Sequence, residues 1–125
     1  MNTLFTPAEA NRTLPLVKRI VADILNKGRE LRELAPKRDD SDARARLKEL
    51  ERELRELMLE MERIGCYYKD WGFEQGLVDF PAEIDGREVF LCWRSDEAEV
   101  AWYHPVQEGF DGRRPIPEGL LQHRE

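Results

Sequence analysis

Asp85-Gly86-Arg87-Glu88-Val89-Phe90-Leu91-Cys92-Trp93 is the stretch that decides the fold. Asp-Gly suits the two-residue turn of a β-hairpin, in which both central residues need positive φ. Val89 to Trp93 is apolar without alternation, the pattern of a central strand covered on both faces. A strand ending at Ile84 should therefore pair with one running from Arg87 through Trp93. Working outward, Cys66 to Asp70 and Gly76 to Phe80 read as further strands. Ser95-Asp96 reads as a turn into a strand from Glu97 to His104.

The N-terminal half carries a different period. Thr6-Pro7-Ala8-Glu9 is a capping box with proline at the tolerant first position. Apolar residues then recur at Leu14, Val17, Val21, Ile24, Leu31 and Ala35, spaced three and four alternately once Gly28 is counted in the stripe. Pro15 lies inside this pattern and predicts a kink near Asn11 to Leu14, or a short helix followed by a new one. Pro36 to Ser41 breaks the pattern. Leu47, Leu50, Leu54, Leu57, Met61 and Ile64 form a second stripe, which Gly65 is placed to end. The expected fold is α+β: a long antiparallel, coiled-coil-like helical hairpin over 1–64, packed on a small antiparallel sheet of three to five strands. The β-rich half, 65–125, ends in a tail, and the whole chain is expected to be one domain.

About 30 helical residues at ~1.5 Å each span ~45 Å. A compact domain of this length is only ~36 Å across. The hairpin should overhang, with the Val17–Val21–Ile24 and Leu47–Leu54–Met61 stripes seeking partner helices. That predicts a homo-oligomer, and a non-enzymatic self-associating or adaptor protein.

Charged residues make up 37% of the chain and the net charge is −6, with 13 Asp/Glu against 6 Lys/Arg in residues 65–125. Nucleic-acid binding needs the opposite sign and is disfavoured. No run approaches the ~18 apolar residues of a membrane span. The N-terminus lacks a signal-peptide pattern, so a cytoplasmic location is expected. Cys66 and Cys92 form no disulfide framework and read as reduced, buried core residues.

Chemistry concentrates in the β-rich half. Asp79 lies among Leu77, Val78 and Phe80, and His104 shares a strand face with Trp102. An Asp79–His104 pair would serve as a general base or a ligand anchor; the structural alternative is an Asp capping the Phe80-Pro81 turn and a His at a strand end. Gly109-Phe110-Asp111-Gly112-Arg113-Arg114-Pro115 offers backbone amides and an arginine fork suited to carboxylate or phosphate. Its alternative is a turn whose arginines pair with Asp79, Glu83 or Glu88. The candidate site is thus Asp79, Arg87, His104, Gly109, Gly112 and Arg113, in a pocket between sheet and tail, holding a small anionic ligand. No cofactor is implied. No metal site is expected either, because His104 and His123 are the only imidazoles and neither has a second ligand at i,i+4. Ser41, Ser95 and the two cysteines lack a nucleophile's setting.

The same segments carry a resemblance. Phe5-Thr6-Pro7-Ala8-Glu9-Ala10-Asn11 with Leu14-Pro15, Gly76-Leu77-Val78-Asp79-Phe80-Pro81, the 85–93 stretch, Trp102-Tyr103-His104-Pro105 and the 109–115 loop together resemble the bacterial family called domain of unknown function 2203. The resemblance implies a bacterial, cytoplasmic protein of two helices and a small sheet. It supplies no activity and no catalytic residues.

Overall fold

The structure, a computed structural model, describes residues 4–121. Helix α1 spans Pro7–Leu34, a 3-10 turn follows at Ala35–Lys37, and α2 spans Ser41–Ile64. Five strands then form one antiparallel sheet in chain order: β1 Tyr67–Tyr68, β2 Leu77–Ile84, β3 Arg87–Arg94, β4 Trp102–Pro105 and β5 Arg114–Pro115. A one-turn helix, α3, closes the described chain at Glu118–Leu121. The architecture is α+β, two long helices and a sheet. Among the described residues no helix is long and apolar enough to cross a membrane.

Local chemistry sets the helix ends. The Glu9 amide donates to Thr6 Oγ1 and the Thr6 amide donates to Glu9 Oε1, completing the capping box. Asp40 caps α2 by accepting from the Ala43 amide. Gly65, at φ 108°, takes the left-handed conformation that ends α2, a position where other residues are strained. Of the two expectations at Pro15, the short helix with a new start does not occur: α1 continues from Pro7 to Leu34 with Pro15 inside it. Proline removes one donor, the one the Asn11 main-chain carbonyl would have used, and the helix runs on through it.

Alternation along β2 and β3 divides the sheet. Val78, Phe80, Ala82 and Ile84, with Val89, Leu91 and Trp93, face the helices and join Val17, Val21, Ile24, Leu54 and Met61 in one buried core. Each fully buried aliphatic side chain contributes about 1.5–3 kcal/mol. Much of the stripes that suggest partner helices is buried within the single chain: Val17, Ile24, Leu50 and Met61 are fully buried, while Leu47 and Leu57 are half-buried. Lys27–Glu53, at 3.2 Å, and a two-bond Glu30–Arg46 pair, at 2.7 and 2.9 Å, bridge α1 and α2 along their exposed flank.

Asp85 and Gly86 both have positive φ, 53° and 77°, as the hairpin turn requires. The two strands expected at Gly76 to Phe80 and up to Ile84 are one, β2, running through Pro81. Pro81 turns its carbonyl outward to accept the Phe5 amide at 2.7 Å, which ties the N-terminal segment to the sheet.

The strand expected from Glu97 to His104 is only half formed, beginning at Trp102. Asn11 explains the difference. Its Nδ2 donates to the Val100 carbonyl at 3.1 Å and its Oδ1 accepts the Val100 amide at 2.7 Å. Lys18 Nζ also donates to the Ala98 carbonyl. Side chains of α1 thus take the bonds that a neighbouring strand would have made, and the segment dips to bury Val100 completely.

Candidate functional site

The face of the sheet turned away from the helices carries the polar chemistry. Asp79 on β2 lies directly opposite Cys92 on β3, and Cys92 lies opposite Trp102 on β4. Directly paired residues share a face, so these three point the same way. His104 pairs with Phe90, which shares that face with Cys92, and reaches diagonally across β3 toward β2. His104 Nε2 stands 3.2 Å from Asp79 Oδ1. The donor atoms of Asp79, Cys92 and His104 all fall within 4.8 Å of one another. All three side chains are buried.

Above them opens a pocket of about 290 Å³, bounded by Lys69, Phe90, Gly109 and Phe110 as well as by the three buried residues. Lys69 Nζ sits 5.8 Å from the Phe90 ring centroid, at the mouth. Gly109 and Phe110 belong to the loop that the tail folds back over this face.

The tautomer of His104 follows from its other neighbour. Nδ1 lies 2.8 Å from the Pro105 carbonyl oxygen. A carbonyl only accepts, so Nδ1 bears the proton and Nε2 of the neutral ring is a lone pair. That lone pair faces a carboxylate oxygen 3.2 Å away, so a hydrogen bond between them needs a proton held by one or the other. Burial pushes the Asp79 carboxyl above its usual range, while the charge and hydrogen bond of His104 pull it back. Burial pushes the Cys92 thiol up to about 12, reinforced by the Asp79 charge and opposed by Arg113.

Asp79, His104 and Gly109 of the sequence-derived candidates therefore meet in one pocket. Arg113 lies beside it but is otherwise engaged. Its Nη1 and Nη2 donate to Glu97 at 2.8 and 2.7 Å, and Nη2 also donates to the Cys92 carbonyl at 3.0 Å. Its guanidinium lies 4.6 Å from the Phe110 ring centroid and 5.1 Å from that of Trp102. The loop arginine thus pairs with Glu97, not with Asp79, Glu83 or Glu88. Gly112 packs against the Glu108 side chain, where any Cβ would collide. Arg87 starts β3, five residues before Cys92, hence about 17 Å along the strand. It lines a separate pocket of about 680 Å³ with Tyr103 and Arg114. His123 lies outside the described residues.

Sequence reasoning missed Cys92 and Lys69 as members of the site. A test for ligands at i,i+4 finds pairs on one helix and cannot see donors gathered from three strands. The signal for Cys92 was present: counting back from the Asp85-Gly86 turn places Asp79 opposite it. Lys69 had no such signal, because β1 reaches the sheet after a helix and its register follows from tertiary packing.

No curated protein and no solved structure matches the chain. The family model of the uncharacterised conserved proteins termed DUF2203 does match, over residues 3–116. That span takes in both long helices, all five strands and every residue of the pocket, and the chain belongs to the DUF2203 family.

Proposed function

We propose that this protein binds a small molecule bearing an anionic group in the pocket over Asp79 and His104. The observation that carries the reading is a buried Asp–His pair at the floor of an open pocket. A buried ionisable pair is a poor way to stabilise a sheet face, since hydrophobic residues of similar volume do as well or better. Such pairs in pockets concentrate at functional sites. Lys69 meets the anionic group at the mouth, and the open backbone at Gly109 allows close approach. The Asp79–His104 pair holds the ligand's hydrogen-bonding end and can pass a proton to or from it. Arg113 acts beneath the site as a clamp on Glu97 and the β3 backbone.

Amide chemical-shift mapping on chelator-treated protein tests the reading, with inorganic phosphate and citrate as probes. Amides of Lys69, Gly109 and Phe110 should shift saturably. Lys69→Ala should weaken binding by about 10- to 100-fold, the loss of one charge-assisted hydrogen bond. Shifts confined to Arg87 and Arg114 would refute the assignment.

A second reading is self-association through the helices. It is favoured by the apolar surface the helices leave uncovered: Leu59 is 49% exposed, and Met58 shares a groove with Tyr67 and the 65%-exposed Trp71. Light scattering across a concentration series decides it, since a mass that stays monomeric throughout removes the reading.

A further inference from the structure

We propose that Asp79, Cys92 and His104 form a site for one divalent transition-metal ion, with zinc the best match and a fourth position open to the pocket. The inference rests on reading that pocket as the binding site and deepens it by naming what holds the anion at its floor.

Three independent features of the geometry support it. The first is the arrangement. Adjacent strands β2, β3 and β4 each place one donor on the same face, and the three donor atoms lie within 4.8 Å of one another. The Oδ1 to Nε2 separation of 3.2 Å matches the edge of a tetrahedron with bonds of about 2.0 Å, which is roughly 3.3 Å.

The second is the orientation of His104. Metal-bound imidazoles typically donate their other N–H to a carbonyl or carboxylate, which fixes the ring and its tautomer. Here Nδ1–H donates to the Pro105 carbonyl at 2.8 Å, leaving the Nε2 lone pair aimed at the other two donors.

The third is charge. An ionised carboxylate, a thiolate and a neutral imidazole together carry −2, so a divalent ion makes the loaded site neutral. Neutrality removes the penalty for isolated charges at three buried side chains. Binding releases the Cys92 thiol proton and the proton shared by Asp79 and His104 to solvent, without oxidant or reductant. The donor set selects the metal. Magnesium and calcium take oxygen ligands, whereas mixed nitrogen, sulfur and oxygen donors suit zinc and its neighbours. Three protein ligands with an open fourth position is the arrangement of zinc sites that bind water or an anion, not of closed structural ones. Lys69 lines the same pocket and its charge acts on the Asp79 carboxyl, so an anion on the metal has a second cation to meet.

The experiment uses full-length protein stripped with chelator and dialysed. Zinc ion alone, titrated calorimetrically, should bind with one equivalent and release protons. Cobalt ion should give a thiolate-to-metal charge-transfer band and intense four-coordinate visible bands. Asp79→Asn, Cys92→Ser and His104→Gln should each weaken zinc binding by about 100-fold or more, beyond the 10- to 100-fold typical of lost outer partners. Cys92→Ser should also erase the charge-transfer band. Absence of that band in the wild-type protein overturns the proposal, whether or not any variant folds. So does zinc uptake that all three folded variants retain. Failure here leaves the pocket reading testable on its own, because the phosphate and citrate shifts at Lys69 and Gly109 are measured without metal.

Discussion

Replacing Arg113 by alanine should destabilise the protein severely. The guanidinium is 10% exposed and its partner Glu97 16% exposed, so solvent screens the pair little. Glu97 Oε1 also accepts the Arg94 amide at 2.8 Å, and the Trp93 indole donates to the Glu97 carbonyl at 3.0 Å. Truncation leaves a largely buried carboxylate without its cation and the Cys92 carbonyl without one donor. Breaking a buried pair from one side typically costs about 3–5 kcal/mol. The retained Arg94 bond argues for the lower end, and lost stacking on Phe110 and Trp102 adds roughly 0.5–1 kcal/mol. For a chain of this size each kcal/mol lowers Tm by about 3–5 °C, so a fall of ~10–20 °C is expected. Urea unfolding should show a lower midpoint with an unchanged slope. Arg113→Lys should recover less than half of the loss, because an ammonium cannot form the two-pronged contact. If Arg113→Ala stays within about 1 kcal/mol of wild type, the clamp assignment is wrong, and Arg113 returns as a cation available to an anionic ligand.

Three further outcomes follow from the packing. Asn11→Ala strands the amide and carbonyl of Val100 and should cost about 2–4 kcal/mol, with local loss of hydrogen-exchange protection at Val100; unchanged protection there would show that this segment is held by other means. Gly28→Ala should destabilise by about 1 kcal/mol or more in thermal unfolding although alanine favours helix, because its Cβ would run into the Phe73 ring. Cys66 holds its proton to about 12 through burial while an unfolded thiol loses it near ~8.5, so rising pH favours the unfolded chain across that window. The stability gap between wild type and Cys66→Ala should therefore narrow between pH 8 and pH 11, and a gap independent of pH would contradict the assignment.

Much of the fold was legible because short-range chemistry wrote it. Thr6 with Glu9, Gly65 after Ile64 and Asp85 with Gly86 each satisfy a local backbone requirement that few residues meet, and each stands where the sequence placed it. The misreadings came from long-range contacts overriding local pattern. Alternation alone extended β4 back to Glu97, but Asn11, 89 residues away from Val100, takes the bonds that a strand would use. The Leu stripes reveal an apolar face and not what covers it. In this chain the sheet and the sister helix cover much of it, burying Val17, Ile24, Leu54 and Met61.

The site shows the same division. Asp79 and His104 could be paired from composition and face, whereas the role of Arg113 could not. Glu97, its partner, sits outside any strand, held by the Trp93 indole and the Arg94 amide. The apolar flanks of Cys92 read as those of a core residue. Those flanks, Leu91 and Trp93, belong to the opposite face and say nothing about its own. Register decides the question. The positive φ of Asp85 and Gly86 fixes a two-residue turn, and that turn sets Ile84 against Arg87 and hence Asp79 against Cys92. A slip of one residue in β2 would turn Asp79 into the helix-facing core and Phe80 out to the pocket. The cost of burying an unpartnered carboxylate there makes that alternative inaccessible. One dipeptide therefore fixes both the hairpin on which the sheet is built and the meeting of Asp79 with Cys92 beneath His104, so the fold and the site stand or fall on the same turn.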